Sequence, residues 1–185
     1  QFVAPFRKED CCLISDGGAA FVTTSTERAR DLPQRPAVVL GVGEGASATG
    51  THWAQQSAFT STPQVFSAPR AFAMAGCSPA DVDVLEVYDP FTVVSLMQIE
   101  DMGFCPKGEA GPFAASGALA HDSGVLPFNT HGGLLSHAYV LGIAHVVECV
   151  KQLRGTAAAQ VPGCEIAVYG GYTGHMASTL VLGTA

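Results

Sequence analysis

The chain has 185 residues, of which 48% are hydrophobic and 14% are charged, and its formal net charge is −7. This length suits one ordinary domain with a filled core. The acidic balance argues against a nucleic-acid-binding protein, which presents a basic face. No run of residues has the length and apolar character of a membrane span, and none resembles a signal peptide. Six cysteines without a C-x-x-C pair predict reduced thiols in a cytoplasmic protein.

The N-terminal third is predicted to hold two strands and a short helix between irregular segments. Residues 10–25 are predicted to form a turn, then a small-residue element and a strand. They are followed by a short exposed helix over Thr26–Arg30, a proline-marked linker over Leu32–Pro36, a buried strand over Ala37–Gly43 and a long surface loop over 44–61. Loops of that length are often functional. Within it, His52 and Trp53 either line the mouth of a ligand site or anchor the loop to the surface.

The rest of the chain alternates helices and strands. The pattern predicts a helix over Gln64–Ala75 ended by Gly76, a helix start at Ser78–Pro79, a strand over Val82–Tyr88, a helix over Phe91–Met102 capped by Asp89, an irregular segment over 103–125, and a C-terminal hairpin with strands 165–169 and 177–182. This order predicts an α/β domain whose mixed sheet is covered by helices. Ligands gather where loops leave strand ends, so the loops that carry Tyr88, His131 and His175 are expected to converge.

The stretch Asn129–Tyr139 opens the central helix of the chain. Gly132 and Gly133 permit a sharp turn and the close approach of a ligand. Beyond them, apolar residues recur at helical spacing as far as Gly155, which is predicted to be the C-cap. A glycine-rich turn at a helix N-terminus is a natural place to hold an anion or a developing oxyanion. The alternative is a capped core helix with no ligand.

Four motifs in chain order resemble the C-terminal half of a thiolase-superfamily protein, and together they cover nearly the whole chain. Asp16–Ala20 resembles the Asp-Gly-Ala-Ala stretch near the end of the N-terminal half, and Val87–Thr92 with Leu96–Cys105 resembles the stretch that carries an Asn-Glu-Ala-Phe or His-Asp-Cys-Phe loop. Asn129–Gly133 with Tyr139 resembles the Asn-x-x-Gly-Gly and Gly-His-Pro region. Tyr169–Gly174 falls where thiolases carry the Cys-x-Gly loop.

The resemblance implies a doubled, layered α/β fold in which two similar lobes pack together and the chains form homodimers. Residues 1–36 would be the tail of the N-terminal lobe and a linker, and residues 37–185 the C-terminal thiolase-like domain. The acyl-accepting cysteine of thiolases belongs to the upstream lobe. The chain, which begins at Gln1, is therefore expected to be a fragment or one piece of a split enzyme.

The departures from the thiolase pattern indicate different chemistry. The histidine of the Gly-His-Pro motif falls on Tyr139, and the second catalytic cysteine falls near Val168 and Tyr169. Tyrosine, with an ordinary pKa near 10, is a poor activator of a thiol. The sequence is similar to the thiolase-like aldolases of steroid side-chain degradation, which split β-hydroxyacyl-CoA thioesters by retro-aldol chemistry, use tyrosines in catalysis and work with a partner of the DUF35 type, an OB-fold protein.

On this resemblance, Tyr88, Tyr139 and His131 are the candidate catalytic residues. Tyr88 would deprotonate the β-hydroxyl or polarise the leaving carbonyl, Tyr139 would protonate the enolate carbon or donate to the thioester oxygen, and His131 would bind the thioester oxygen or position Tyr88. The candidate substrate-binding residues are Asp89, Gly132, Gly133 and His175. By periodicity alone Tyr139 is a core residue, and Asp89 is foremost a helix N-cap. Neither a metal site nor a bound cofactor is expected, since histidines and cysteines lack ligand spacing; coenzyme A enters as part of the substrate.

Two other functions remain compatible with the sequence. An acetyl-CoA acetyltransferase would need a thiol near Tyr139 or Tyr169, and the candidates are Cys105 and Cys164. A non-catalytic half that only pairs with a partner subunit would need no reactive group. Neither the acyl group nor the boundary of the natural protein follows from these residues.

Overall fold

A four-stranded mixed sheet forms the centre of the computed structural model, which describes residues 3–47, 55–122 and 124–185. The strands are β1 (Ala37–Ala46), β2 (Val84–Val87), β3 (Ile166–Tyr172) and β4 (Met176–Thr184). Their order is β1-β4-β3-β2; β2 and β3 run parallel, and the other neighbours are antiparallel. The predicted mixed sheet and C-terminal hairpin are confirmed. His52 and Trp53 lie outside the described residues.

Helices cover both faces of the sheet. They are α1 (Thr26–Ala29), α2 (Gln64–Ala75), α3 (Thr92–Asp101), α4 (Ala110–Ala115) and α5 (Ile143–Arg154). Because neighbouring strand residues point to opposite faces, Val168 joins a core cluster with α2 and α3, whereas Ala167 joins one with α5. Close packing of α2 on β1 depends on glycine: a β-carbon on Gly43 would overlap the backbone oxygen of Ser67.

Several predicted boundaries are wrong. The segment 12–25 contains no helix or strand, and β1 runs on to Ala46 into the predicted loop. Pairing with β4 draws residues 170–172, expected to be a turn, into β3. The segment 103–125 includes the short helix α4. No helix in the described ranges has the length and apolar character needed to cross a bilayer.

The predicted continuous central helix is two pieces. Gly133–His137 form one π-helical turn, Ala138 is extended with φ −162°, and α5 begins only at Ile143. Leu141 adopts a φ of +58° in the break. Tyr139 therefore lies in an irregular segment and not on the apolar stripe of a helix. The predicted C-cap is confirmed, since Gly155 has a φ of +72° directly after α5.

Candidate active site

Two tyrosine hydroxyls meet where β2 ends. The Oη atoms of Tyr88 and Tyr139 lie 2.5 Å apart, and the rings cross edge-on with centroids 6.2 Å apart. The residues are 51 positions apart in sequence, so the contact is a product of the tertiary fold. The two side chains that the sequence analysis assigned to one site are thus in contact; their catalytic roles stay predictions.

The backbone of Tyr88 is held from both sides. Its N–H donates to the Gly170 oxygen at 2.8 Å, which continues the parallel pairing of β2 with β3. Its own carbonyl oxygen accepts a hydrogen bond of 2.7 Å from Gln98 Nε2 on α3. The strand end and α3 thus fix the point from which the phenol projects.

Burial raises the pKa of Tyr88 well above its usual range, and the hydrogen bond with Tyr139 raises it further. Weaker contributions come from Cys12 and Tyr169. Both effects disfavour the phenolate. Tyr88 is therefore a neutral phenol at physiological pH, suited to receive one proton while it passes on another.

A cavity of about 370 Å³ opens beside this pair. Among the described residues that line it are Tyr88, Leu141, Gly142, Tyr169, Tyr172 and Met176, and this described lining includes no histidine and no cysteine. Burial raises the pKa of both Tyr169 and Tyr172 to about 12. Three of the four tyrosines of the chain therefore line the cavity. The fourth, Tyr139, is not in the described lining but is hydrogen-bonded to Tyr88.

Asp89 does not cap α3, as the sequence predicted. The first residues of α3 receive no side-chain cap. The Asp89 carboxylate instead accepts hydrogen bonds from Leu134 N at 2.8 Å and Leu135 N at 3.4 Å, and it lies 3.0 Å from His145 Nε2. Only 1% of Asp89 is exposed. The expected anion site at the glycine-rich turn is thus filled by a carboxylate of the chain itself.

Gly132 and Gly133 serve this arrangement. Both have positive φ values, +99° and +60°, which favour glycine. A β-carbon on Gly133 would overlap the Asp89 carboxylate. The close approach predicted for a ligand is therefore made here by Asp89. Direct substrate contact by these three residues stays a prediction.

His131 is not among the described residues that line the cavity. Its Nδ1 is 2.9 Å from Glu86 Oε2, and its side chain is 9% exposed. Burial lowers the pKa of His131, but the adjoining Glu86 carboxylate, with Glu148 and Asp89, outweighs burial and raises it overall. The raised pKa favours a protonated His131 beside the Glu86 carboxylate. A catalytic role for His131 stays a prediction.

A small cluster of possible metal ligands includes this pair. One atom each from Glu86, His131 and His145 lies within 4.8 Å of the others. Both histidines already face a carboxylate, because His145 is bonded to Asp89 and His131 to Glu86. These contacts form a buried group of two carboxylate–imidazole pairs. That no metal binds here stays a prediction.

The remaining candidates lie apart from the pair. His175 is half-buried in the turn between β3 and β4 and is not among the described residues that line the cavity. Cys105 packs against the core cluster on the α2 side and Cys164 against the one on the α5 side. Burial raises the pKa of both thiols, that of Cys164 to about 12. The thiol expected by an acetyltransferase is therefore not supplied by either.

Sequence reasoning misses three contributors. It marks Tyr169 and Tyr172 only as parts of a family motif, and Glu86 only as a strand residue. The sequence could have indicated the two tyrosines, since both flank Gly170–Gly171 at the end of a predicted strand. Glu86 is 0% exposed, and nothing in its neighbours along the chain distinguishes it from a surface strand position.

Comparison with known proteins agrees with this geometry. A family model described as thiolase C-terminal domain-like matches residues 45–184. The chain is 41% identical to 17-hydroxy-3-oxo-4-pregnene-20-carboxyl-CoA lyase of Mycobacterium tuberculosis, with 97% of this chain and 47% of the relative aligned. It is 42% identical to a steroid side-chain-cleaving aldolase of Thermomonospora curvata, with 98% and 47% aligned.

Similarity extends to a solved structure and to enzymes of another activity. The solved structure of an Ltp2–ChsH2(DUF35) aldolase superposes with a TM-score of 0.93 at 38% identity, over 100% of this chain and 49% of that one. An acetyl-CoA acetyltransferase of Methanothermobacter thermautotrophicus is 36% identical over 88% of this chain and 43% of the relative. The chain thus spans about half the length of the relatives it matches. By its matched residues and its fold, it belongs to the thiolase C-terminal domain-like family.

Proposed function

We propose that this chain is the C-terminal half of an acyl-CoA lyase that cleaves a β-hydroxyacyl-CoA by a retro-aldol reaction. The observation that carries the proposal is the contact between Tyr88 Oη and Tyr139 Oη beside the cavity. Two neutral phenols in contact can relay a proton: each receives one proton as it gives up its own, so neither is left charged. A retro-aldol step requires one proton to leave an oxygen and one to reach a carbon.

The proton inventory of this reaction balances across the pair. Tyr88 receives the proton of the β-hydroxyl and passes its own to Tyr139. The hydroxyl oxygen becomes a ketone, the bond between the α- and β-carbons breaks, and its electron pair moves onto the thioester as an enolate. Tyr139 gives its proton to the α-carbon. The products are a ketone and a shorter acyl-CoA, and both phenols end neutral.

The residues at the site favour this reaction over thiolysis. A thiolytic step needs a thiolate and a base that activates it. The described lining of the cavity offers aliphatic hydroxyls, phenols and the Glu44 carboxylate, but neither imidazole nor thiol. Cys12 lies near Tyr88, yet burial and the nearby Asp89 carboxylate raise the pKa of its thiol. Acetyl-CoA acetyltransferase activity, present among the relatives, is therefore the second candidate.

The acyl group is proposed to be a steroid side chain. Support comes from the two relatives that align over nearly the whole chain, whose names specify a pregnene carboxyl-CoA and steroid side-chain cleavage. The side chains of Leu141, Met176 and Ala177 give the cavity an apolar wall suited to a hydrocarbon. Coenzyme A enters as the thioester of the substrate, with no other cofactor expected.

The assembly is proposed to contain an upstream thiolase lobe, a second copy of the protein and a DUF35-type partner. The similar solved structure is that of an aldolase whose name includes a DUF35 component. Residues 1–36 are proposed to pack on the upstream lobe. Support comes from exposed apolar side chains in this segment, among them Ile14 and Val22, which are 103% and 93% exposed. Six free thiols agree with a proposed location in the cytoplasm.

The test uses the full-length protein that contains this chain, with its DUF35-type partner. The substrate is 17-hydroxy-3-oxo-4-pregnene-20-carboxyl-CoA, and release of ketone and acyl-CoA is followed. Tyr88→Phe and Tyr139→Phe should each lower kcat by about 100-fold or more, the usual size of a lost acid or base.

Three results would contradict the proposal in different ways. Near wild-type cleavage by both variants would remove the tyrosine pair from the mechanism. CoA-dependent thiolysis of a 3-ketoacyl-CoA without cleavage of the hydroxy substrate would identify an acetyltransferase. Neither reaction by the intact complex would indicate a non-catalytic half.

A further inference from the structure

Tyr169 occupies a slot formed by two glycines. A β-carbon on Gly142 would overlap its Oη, and one on Gly171 would lie 3.1 Å from it. The ring packs on the α5 side of the sheet, with its centroid 5.8 Å from that of His145. Packing thus fixes the position of the Tyr169 ring, and the hydroxyl reaches the segment that joins Tyr139 to α5.

The hydroxyl of Tyr169 differs from those of the other tyrosines because it has no hydrogen-bond partner among the described residues. Tyr88 and Tyr139 are bonded to each other, and Tyr172 Oη donates to the Gly174 oxygen at 3.2 Å. Tyr169 nevertheless lines the same cavity as Tyr88 and Tyr172. A largely buried phenol normally finds a partner. The described part of the protein supplies none here, and because Tyr169 lines the cavity, its hydroxyl is available to a group bound there.

The proposed cleavage creates a need that the tyrosine pair does not meet. When the bond between the α- and β-carbons breaks, negative charge develops on the thioester oxygen. Tyr88 and Tyr139 are occupied with the proton that travels from the β-hydroxyl to the α-carbon. A separate neutral donor held at the cavity wall would stabilise the enolate oxygen without taking part in that transfer.

We propose that Tyr169 is a further catalytic residue, whose hydroxyl donates a hydrogen bond to the thioester oxygen as it becomes an enolate. This role rests on the proposed retro-aldol function. It requires no proton to leave Tyr169: the hydrogen bond strengthens as charge accumulates and weakens when the α-carbon is protonated. Since burial raises the pKa of this phenol to about 12, it stays a donor throughout the physiological range.

The experiment compares Tyr169→Phe with Tyr172→Phe in the full-length protein with its partner. Both changes remove one phenol oxygen from the same cavity, but only the Tyr172 hydroxyl already has a protein acceptor. Tyr169→Phe should lower kcat by about 100-fold, as loss of one oxyanion donor does, and change KM little. Tyr172→Phe should cost several-fold at most. The melting temperature of Tyr169→Phe should equal or exceed that of wild type, because no protein hydrogen bond is lost.

A second measurement isolates enolate formation from cleavage. Propionyl-CoA, the acyl-CoA that cleavage of the pregnene substrate would release, is incubated with the protein in D₂O, and deuterium incorporation at its α-carbon is followed. Exchange passes through the same enolate but needs no β-hydroxyl. Tyr169→Phe should slow exchange about as much as cleavage.

The outcomes separate this role from the proposed function. If wild type cleaves the substrate and Tyr169→Phe matches it in cleavage and exchange, the role of Tyr169 is refuted and the lyase stands. If Tyr169→Phe slows cleavage only in proportion to a lower melting temperature, its role is structural. If wild type neither cleaves nor exchanges, the proposed function fails and this role fails with it.

Discussion

The Asp89 carboxylate lies 3.0 Å from His145 Nε2, and this contact joins the strand end that carries Tyr88 to the helix that follows Tyr139. The same carboxylate accepts the N–H of Leu134 in the π-helical turn before Tyr139. Both ends of the irregular segment are therefore tied to the residue next to Tyr88. The short distance between the two phenols follows from this clamp.

Asp89→Ala should destabilise the protein by about 3–5 kcal/mol, because it leaves a buried histidine and two backbone N–H groups without their acceptor. The free energy of unfolding, measured in urea on the full-length protein, checks this value. Asp81→Ala is the matched control, since Asp81 is an exposed carboxylate that accepts hydrogen bonds from Ser78. A loss for Asp89→Ala no larger than that of the control would show that the clamp is not stabilising.

The two phenols should act as one unit. Because each passes the same proton, the double variant Tyr88→Phe/Tyr139→Phe should be about as slow as the slower single variant, as for groups that share one step. Single-turnover cleavage of the proposed substrate gives the rates. Losses that multiply in the double variant would mean that the two hydroxyls serve separate steps.

The ionisation of Tyr88 should respond to its neighbour. Burial and the hydrogen bond with Tyr139 both raise the pKa of Tyr88. Tyr139→Phe removes the second cause, so Tyr88 should titrate at lower pH than in wild type, though still above the ordinary 10.0 because it remains buried. Tyrosinate absorbance followed against pH measures the change, with Tyr88→Phe identifying the signal. An unchanged or higher pKa would contradict the contact between the two hydroxyls.

The pKa of His131 should fall when Glu86 is neutralised. Burial lowers this pKa, while the Glu86 carboxylate raises it together with Glu148 and Asp89, so Glu86→Gln should lower the pKa from its wild-type value. The wild-type pair adds stability that is fully present below pH 6.5 and is lost as the pH rises through the raised pKa. NMR titration of the His131 ring tests the direction. His137→Gln, which alters an exposed neighbouring ring, is the control and should shift it less.

Gly142 and Tyr169 should be energetically coupled. Gly142 has an ordinary helical conformation, with φ −71°, so alanine is obstructed there by the Tyr169 hydroxyl rather than by the backbone. Gly142→Ala alone should therefore destabilise the protein, and less so in combination with Tyr169→Phe, which removes the nearest atom. A double-mutant cycle on unfolding free energies should give a coupling of about 0.5–3 kcal/mol. If the two changes in unfolding free energy were strictly additive, the Tyr169 hydroxyl would not be in contact with residue 142.

Much of the fold could be predicted from local patterns. The helix Gln64–Ala75 has the bounds that its apolar spacing predicts, and Gly76 and Gly155 end helices with positive φ. These features depend on neighbours in sequence, through spacing and backbone freedom. The break before α5 could not be predicted in this way, because apolar spacing runs unbroken from Leu135 to Leu153. The π-helical turn before the break is held by the Asp89 carboxylate, which is distant in sequence.

By itself, the sequence determined the family, the α/β class and the identity of the two phenols, since these follow from motif order and from which residue types are present. Only the tertiary structure decided what each group does there. It turned Asp89 from a helix cap into a clamp, placed His131 against Glu86, and left the Tyr169 hydroxyl with no hydrogen-bond partner among the described residues, in a side chain that lines the cavity. The reason is that hydrogen bonding and burial at this site are set by residues far apart in the chain, such as Asp89 and Leu134 at a separation of 45 positions, which no local pattern can bring together.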